Sequence, residues 1–264
     1  MVAVYNTLGN SSGKADLPDI FLTEYRPDLI QKAVVATQAG RRQTFGPTHY
    51  AGLLTSADYF GRRRDVYRMT INKGMSRLPR EKTGGGGLGK VRRVPQSVGG
   101  RRAHPPKPEK IYSKKINSKE YSLALKSAIA ATAKKELVEK RGHIIPEKKD
   151  IPLITDDSIQ KTSKSKELLE ILNKLGFQPE LERTGKTKPR SGKSRIRGRT
   201  SKKKTGVLII VCEDEGIRKS ASNIPGVDVE TVKSVNVCDL APGTHAGRLV
   251  LWTKSAVEKI GETV

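Results

Sequence analysis

The chain has 264 residues, enough for one large domain or two small ones with a sizeable core, and carries 51 Lys and Arg against 27 Asp and Glu, a formal net charge of +24. An excess of that size bears on partners and solubility and makes a polyanion the first candidate, because each neutralised phosphate releases a counterion. No apolar run approaches the ~20 residues needed to span a bilayer. The opening segment MVAVYNTLGNSSGKADLP lacks the basic and apolar regions of a signal peptide, and the two cysteines, Cys212 and Cys238, make neither a disulfide framework nor a metal-ligand cluster. A soluble, intracellular, metal-free chain is predicted.

In chain order, Val2 to Leu8 and Leu17 to Phe21 read as short β segments. Pro27 sits at a first helical position, and Leu29, Ile30, Ala33, Val34 and Thr37 continue at helical spacing until Gly40. From Arg41 to about Ser113 no period of 3.6 or 2 persists. The basic groups Arg41 and Arg42, Arg62, Arg63 and Arg64, Arg92 and Arg93, and Arg101 and Arg102 punctuate this stretch. Phe45, Tyr50, Tyr59, Phe60 and Tyr67 occupy its first part, where a short helix from Tyr50 to Phe60 is an option. Its later part, Arg77 to Pro106, is rich in Gly, Arg and Pro and nearly devoid of large apolar side chains, so it cannot bury a core of its own. If the stretch runs out and back, each arm of roughly 30 residues reaches at most about 100 Å at ~3.3 Å per residue.

Ser118 reads as an N-cap for an Ala-rich helix with an apolar stripe at Tyr121, Leu125, Ala128, Ile129 and Thr132. Pro152 to Thr155 reads as a strand, and Lys166 to Leu175 as a helix ended by Gly176. A second basic stretch follows, with no acid between Arg183 and Gly206. The run VLIIVCED then has the length and composition of a strand covered on both faces. A helix at Gly216 to Ser222, a β segment at Val229 to Val237, a strand at Arg248 to Trp252 and a helix at Ser255 to Ile260 complete the pattern. Alternating β and α units predict an α/β fold: a three-layer domain with a mostly parallel central sheet flanked by helices, plus a long extended internal loop. Residues 1–40 and 114–264 would form the globular domain, 41–113 the basic loop, and 183–206 a second basic segment.

Catalytic chemistry finds little support. Gly84 to Lys90 fits G-x-x-x-x-G-K, and Gly84, Gly86 and Gly89 fit G-x-G-x-x-G, which raises a nucleotide-binding enzyme as an alternative. A phosphate loop, however, needs a strand before it, a helix N-terminus after it and a Ser or Thr beside the Lys; here Val91 follows Lys90 and VRRVPQ continues. His49, His104, His143 and His245 are scattered and read as surface or RNA-contacting residues. Glu213, Asp214 and Glu215 could place a carboxylate at a strand end, but fit better as a polar turn into a helix near Gly216. No G-x-S-x-G occurs. No catalytic residue, cofactor or metal is expected. Two separate basic stretches without apolar periodicity instead suit RNA: Arg offers bidentate donors to phosphate and a flat face for stacking, and Gly permits close backbone approach. A free RNA chaperone is a further alternative.

Several ordered segments resemble a known family. RRQTFGPTHYAG, RLPREKTGGGG, VRRVPQ, GGRRAHPPKPEK, SAIAATA, RGH before IPLI, EDEGIRKSASNIPGV and LAPGTHAGRLVLWTKSA are similar to the universal large-subunit ribosomal protein four family in its archaeal and eukaryotic form. That resemblance implies a cytoplasmic, non-enzymatic component of the large ribosomal subunit bound to large-subunit rRNA and neighbouring ribosomal proteins. It implies a loop that reaches the polypeptide exit tunnel, meets protein number twenty-two of the same subunit at a constriction, and borders the nascent polypeptide. The arginines of the four basic groups and His104 would face rRNA. So would Lys186, Lys188, Arg190, Lys193, Arg195, Arg197 and Arg199 in the second stretch. Arg77, Arg80, Lys82, Gly84, Gly85 and Lys90 would line the tunnel.

Overall fold

The run Leu208 to Val211 is a strand with every residue buried, which is what a continuous string of branched aliphatics requires. It belongs to a computed structural model that describes residues 2–60, 72, 74–83, 87–146 and 149–263. Its elements are, in chain order, β1 (Val2–Tyr5), β2 (Ser11–Ala15), α1 (Pro27–Gly40), β3 (Arg80–Lys82), β4 (Leu88–Val91), α2 (Ser118–Thr132), α3 (Lys135–Lys140) and β5 (Leu153–Thr155). There follow α4 (Ser165–Lys174), α5 (Gln178–Gly185), β6 (Lys188–Pro189), α6 (Gly192–Ile196), β7 (Ser201–Lys202), β8 (Leu208–Val211), α7 (Ile217–Ala221), β9 (Asp228–Thr231), α8 (Val237–Leu240), β10 (Val250–Thr253) and α9 (Lys254–Thr263).

The central sheet runs β2-β1-β5-β10-β8-β9, antiparallel only between β1 and β2 and parallel elsewhere. Because successive side chains of a strand point to opposite faces, its apolar runs divide between two cores. Ile154, Leu208, Ile210, Val250 and Trp252 pack with α1, α2, α8 and α9, while Leu153, Ile209, Val211, Val229, Leu249 and Leu251 pack with α4 and α7. Helices therefore cover both faces, and the mostly parallel three-layer α/β arrangement expected from the sequence is present. Trp252 anchors the first core, its ring edge-on to Phe21 with centroids 5.4 Å apart.

The chain divides into two units, residues 1–41 with 113–264, and residues 42–112. The first holds both cores. In the second, Ala57 and Pro79 are the buried residues among those described, in keeping with a composition that cannot supply a core. Its regular structure is the β3–β4 hairpin, which pairs Arg80 with Val91 and Lys82 with Leu88. Asp58 and Arg80 exchange both backbone hydrogen bonds at 3.0 Å, adding a third strip of chain to that hairpin.

Several local expectations are corrected. Leu17 to Phe21 is not a strand: Pro18, with φ fixed at −61°, leads into a 3-10 turn over Asp19–Leu22 that buries both Ile20 and Phe21. The antiparallel partner of β1 is instead the polar segment Ser11–Ala15, tolerated because it is a solvent-facing edge. Asn117, in an extended conformation, precedes α2, and Ser118 is its first helical residue. The helical run breaks at Ala133 and Lys134 to start α3. The β segment from Val229 stops at Thr231, whose carbonyl accepts the N–H groups of Ser234 and Val235 in a turn, and Asn236 and Asp239 then form a capping box that opens α8. Tyr50 to Phe60 is a succession of turns with Gly52 at φ +76°. A side chain at Gly52 would also place Cβ 2.6 Å from Arg101 Cα. Helix α5 and the small β6–β7 pairing, by contrast, went unforeseen.

Candidate nucleic-acid interface

The second basic stretch leaves the domain at the end of α5 and returns at β8 as an irregular hairpin. Lys188 pairs with Lys202 and Pro189 with Ser201, and the single turn α6 lies between the two strands. With one apolar residue, Ile196, and that one exposed, the excursion has nothing to pack against the sheet. Lys186, Lys188, Lys193, Arg195, Arg197 and Arg199 are all exposed, and Arg190 is half-buried. None of these seven side chains makes a hydrogen bond or ion pair with any described residue, so their donors face solvent.

Within residues 42–112 the predicted cations divide into committed and uncommitted groups. The Arg42 guanidinium lies 4.3 Å from the Tyr112 ring centroid and 5.9 Å from that of Phe45; the two rings are nearly parallel at 11°. Arg92 is occupied by the hairpin itself, its Nε donating to Glu81 at 3.0 Å and its Nη1 to the Val98 carbonyl. Arg93, at φ +69°, donates Nη1 to the Ala57 carbonyl at 3.1 Å. Arg101, Arg102 and His104 are exposed. Arg77 reaches Asn72 at 2.6 Å and Arg80 reaches Ser76 at 2.8 Å, whereas Lys82 and Lys90 are exposed on the hairpin. Arg62, Arg63, Arg64, Tyr67, Gly84 and Gly85 lie outside the described residues. Arg41 is exposed at the C-terminal end of α1.

The glycine cluster does not have the setting of a phosphate loop, because Lys90 lies inside strand β4, antiparallel to β3, rather than at a helix N-terminus. The acidic trio is a turn: Asp214 Oδ1 accepts the backbone N–H groups of Gly216 and Arg218 at 3.0 and 3.2 Å. Cys212 and Cys238 are free thiols.

His143 is corrected from a surface or RNA-facing residue to a buried one. Gly142, at φ +89°, ends α3 by sending its own N–H to Glu139 and the N–H of His143 to Val138, which turns the imidazole inward. There Nδ1 lies 2.6 Å from Glu180, a carboxylate with no exposed surface that also accepts Arg183 Nε at 2.7 Å, Arg183 Nη2 at 2.6 Å and the Ile144 N–H at 3.1 Å. Burial alone would raise the Glu180 pKa, but the hydrogen bonds from Arg183, His143 and Ile144 outweigh it and the pKa falls. Burial lowers that of His143 against the pull of Glu180. The cluster is thus a Glu180 to Arg183 ion pair with a neutral His143 donating into it.

Arg183, which opens the second basic stretch, and Arg141, of the RGH segment, flank a cleft of about 830 Å³ whose other basic residues include Lys140, Lys202, Lys203 and Lys204. The only sequence signal was Arg-Gly after a helical run, which marks a helix end without telling what the arginine faces. A third arginine, Arg248, is 2% exposed and ties the sheet to α8: its Nε donates to the Gly206 carbonyl, its Nη1 to the Asp239 carbonyl and its Nη2 to Asp228.

These features define a basic α/β protein whose uncommitted cations stand on irregular excursions from a helix-covered sheet. Residues 15–263 match the Ribosomal protein L4/L1 family, and the chain belongs to that family: it is a structural ribosomal protein, not an enzyme. It is 45% identical to Large ribosomal subunit protein uL4 of Methanosphaera stadtmanae over 262 residues, covering 99% of this chain and 96% of the relative. It is 43% identical to the protein of the same name from Archaeoglobus fulgidus over 260 residues, covering 98% and 97%. The counterpart from Methanococcoides burtonii is 45% identical over 250 residues, covering 94% and 93%.

Proposed function

We propose that this protein is a cytoplasmic component of the large ribosomal subunit that binds large-subunit rRNA through its two basic stretches and lines part of the polypeptide exit tunnel through residues 41–113. The observation that carries the rRNA reading is the set of seven cations from Lys186 to Arg199 that have no partner among the described residues, on a hairpin with no apolar face. Packed RNA supplies the missing counter-charge, and the lack of side chains that could pack on a protein partner favours phosphate as the ligand. In residues 42–112 the roles divide. Arg92, Arg93 and Glu81 hold the hairpin, while Arg101, Arg102 and His104 face RNA and Arg42 presents a guanidinium stacked on aromatic rings.

The tunnel assignment rests on family membership together with the β3–β4 hairpin, on which Lys82 and Lys90 are exposed. Its mechanism is steric and electrostatic: a narrow hairpin with cationic edges restricts a passage next to protein number twenty-two and contacts the growing chain. Sedimentation tests the assignment. The protein is expected to travel with large subunits through a high-salt sucrose cushion, and release under those conditions would favour a free RNA chaperone. Lys82 and Lys90 are expected to cross-link to an arrested nascent chain, and their failure to do so in assembled ribosomes would remove the tunnel role.

A further inference from the structure

The cleft beside α3 joins part of the second basic stretch, Arg183 and Lys202 to Thr205, to residues outside both stretches, Lys140 and Arg141 among them. It is walled by Tyr25, Pro27 and Gln31 at the start of α1, the C-terminal end of α3, the returning strand β7 with Lys203 to Thr205, and the turn from Thr244 to Ala246. No Asp or Glu lines it. Its nearest carboxylate, Glu180, is buried behind Arg183 and fully engaged there. The side chains of Lys140, Lys202, Lys203 and Lys204 make no hydrogen bond or ion pair with the described residues.

Arg141 is the decisive residue. As the residue that caps α3, it is held in place by the Gly142 turn, and its Nη2 donates to the Pro242 carbonyl at 2.8 Å. Its Nη1 is buried with no hydrogen-bond partner. A charged donor left so costs several times an ordinary lost hydrogen bond, and such a group in a cation-lined cleft calls for an anion. Burial, with Arg248 and Arg183 nearby, lowers the Arg141 pKa to about 10, the same absence of counter-charge seen from the proton's side.

We infer that this cleft is a third RNA contact, taking phosphodiester groups of an RNA backbone against Arg141, Arg183 and the lysines of α3 and the β7 return. A volume of about 830 Å³ is that of a site for a nucleotide-sized group rather than a single water-filled niche. Phosphate suits the donor set: fork-shaped guanidinium donors at the base and mobile ammonium groups at the rim. The inference rests on the RNA-binding reading given above and adds to it Lys140 and Arg141, which lie outside the segments on which that reading stands.

The test uses the full chain and deproteinised large-subunit rRNA in filter-binding titrations across a range of salt concentrations. Two variants probe the cleft. Arg141→Gln removes the half-buried guanidinium, and Lys140→Gln with Lys203→Gln alters two exposed side chains that the fold does not need. A third, Arg195→Gln with Arg197→Gln, probes the hairpin. The double lysine variant is expected to weaken binding about tenfold or more and to lower the slope of log affinity against log salt by about 1 to 2, one per lost phosphate contact. Lysine acylation read by mass spectrometry gives a second measure, with Lys140 and Lys203 protected in the complex. If the hairpin variant loses affinity while the cleft variants keep wild-type affinity, slope and reactivity, the cleft assignment is overturned and the RNA reading stands. Absence of rRNA binding by the wild-type chain overturns both.

Discussion

Glu180 shows how much one buried carboxylate can hold. Its oxygens gather Arg183, His143 and the Ile144 N–H, tying α5 to the segment that leaves α3, and Arg183 extends the network to the Thr205 carbonyl at 2.7 Å. Replacing it by Ala strands a nearly buried guanidinium, so Glu180→Ala is expected to cost about 3 to 5 kcal/mol in urea unfolding, the usual penalty for breaking a buried pair. The same cluster sets an acid limit. Both pKa values are depressed in the folded chain, so the unfolded chain binds more protons as pH falls and stability declines. The His143 contribution is present above its ordinary value of 6.5 and drains away below it; that of Glu180 is present above 4.5 and is lost further down. Urea midpoints measured from pH 8 to pH 4 are expected to fall in that order, and His143→Phe should remove the decline that begins below 6.5.

At the scale of elements, glycines and short polar turns decide where chain segments stop and how closely they approach. Helix α4 ends because Gly176, at φ +83°, sends its N–H to Asn173 while Phe177 returns its own to Leu172 and buries its ring. That stop was legible in the sequence, since an apolar period broken by Gly has few other meanings. The β3–β4 hairpin was not legible: three and four residues of mixed polarity carry no alternation strong enough to announce a strand. What holds it is backbone proximity, with Gly89 so near Glu81 that a Cβ would lie 2.5 Å from the Glu81 carbonyl oxygen. Gly89→Val is therefore expected to break the pairing of Arg80 to Lys82 with Leu88 to Val91. Amide hydrogen exchange should show lost protection there, with protection in β8 and β10 unchanged.

At the scale of the whole molecule, the hydrophobic cores are confined to one of the two units. Both hydrophobic clusters lie in residues 1–41 and 113–264, while residues 42–112 bury little. Replacing residues 77–93 with a Gly-Ser linker is expected to leave the helical circular dichroism and the cooperative unfolding of the domain intact. On the function proposed above, it should preserve rRNA binding by the 183–206 hairpin and alter the tunnel alone. Loss of cooperative unfolding in that variant would show that the arm supports the fold.

The sequence by itself determined the fold class, because alternating apolar runs of strand length and amphipathic stripes can be buried together in few ways other than a helix-covered sheet. It determined the family as well, through long ordered matches, and it marked both basic stretches, because clustered Arg and Lys without apolar periodicity cannot pack inside. Tertiary structure alone decided which cations are free. Arg92, Arg93 and Arg248 look like any others in the chain, yet each is held by acceptors that are not its immediate neighbours in sequence. Lys140 and Arg141 stand far from Lys203 in sequence, and only the folding of α3 against the β7 return brings them to one cleft. Charge is local information and can be read along a chain; its neutralisation depends on which distant acceptor arrives, which is settled by packing.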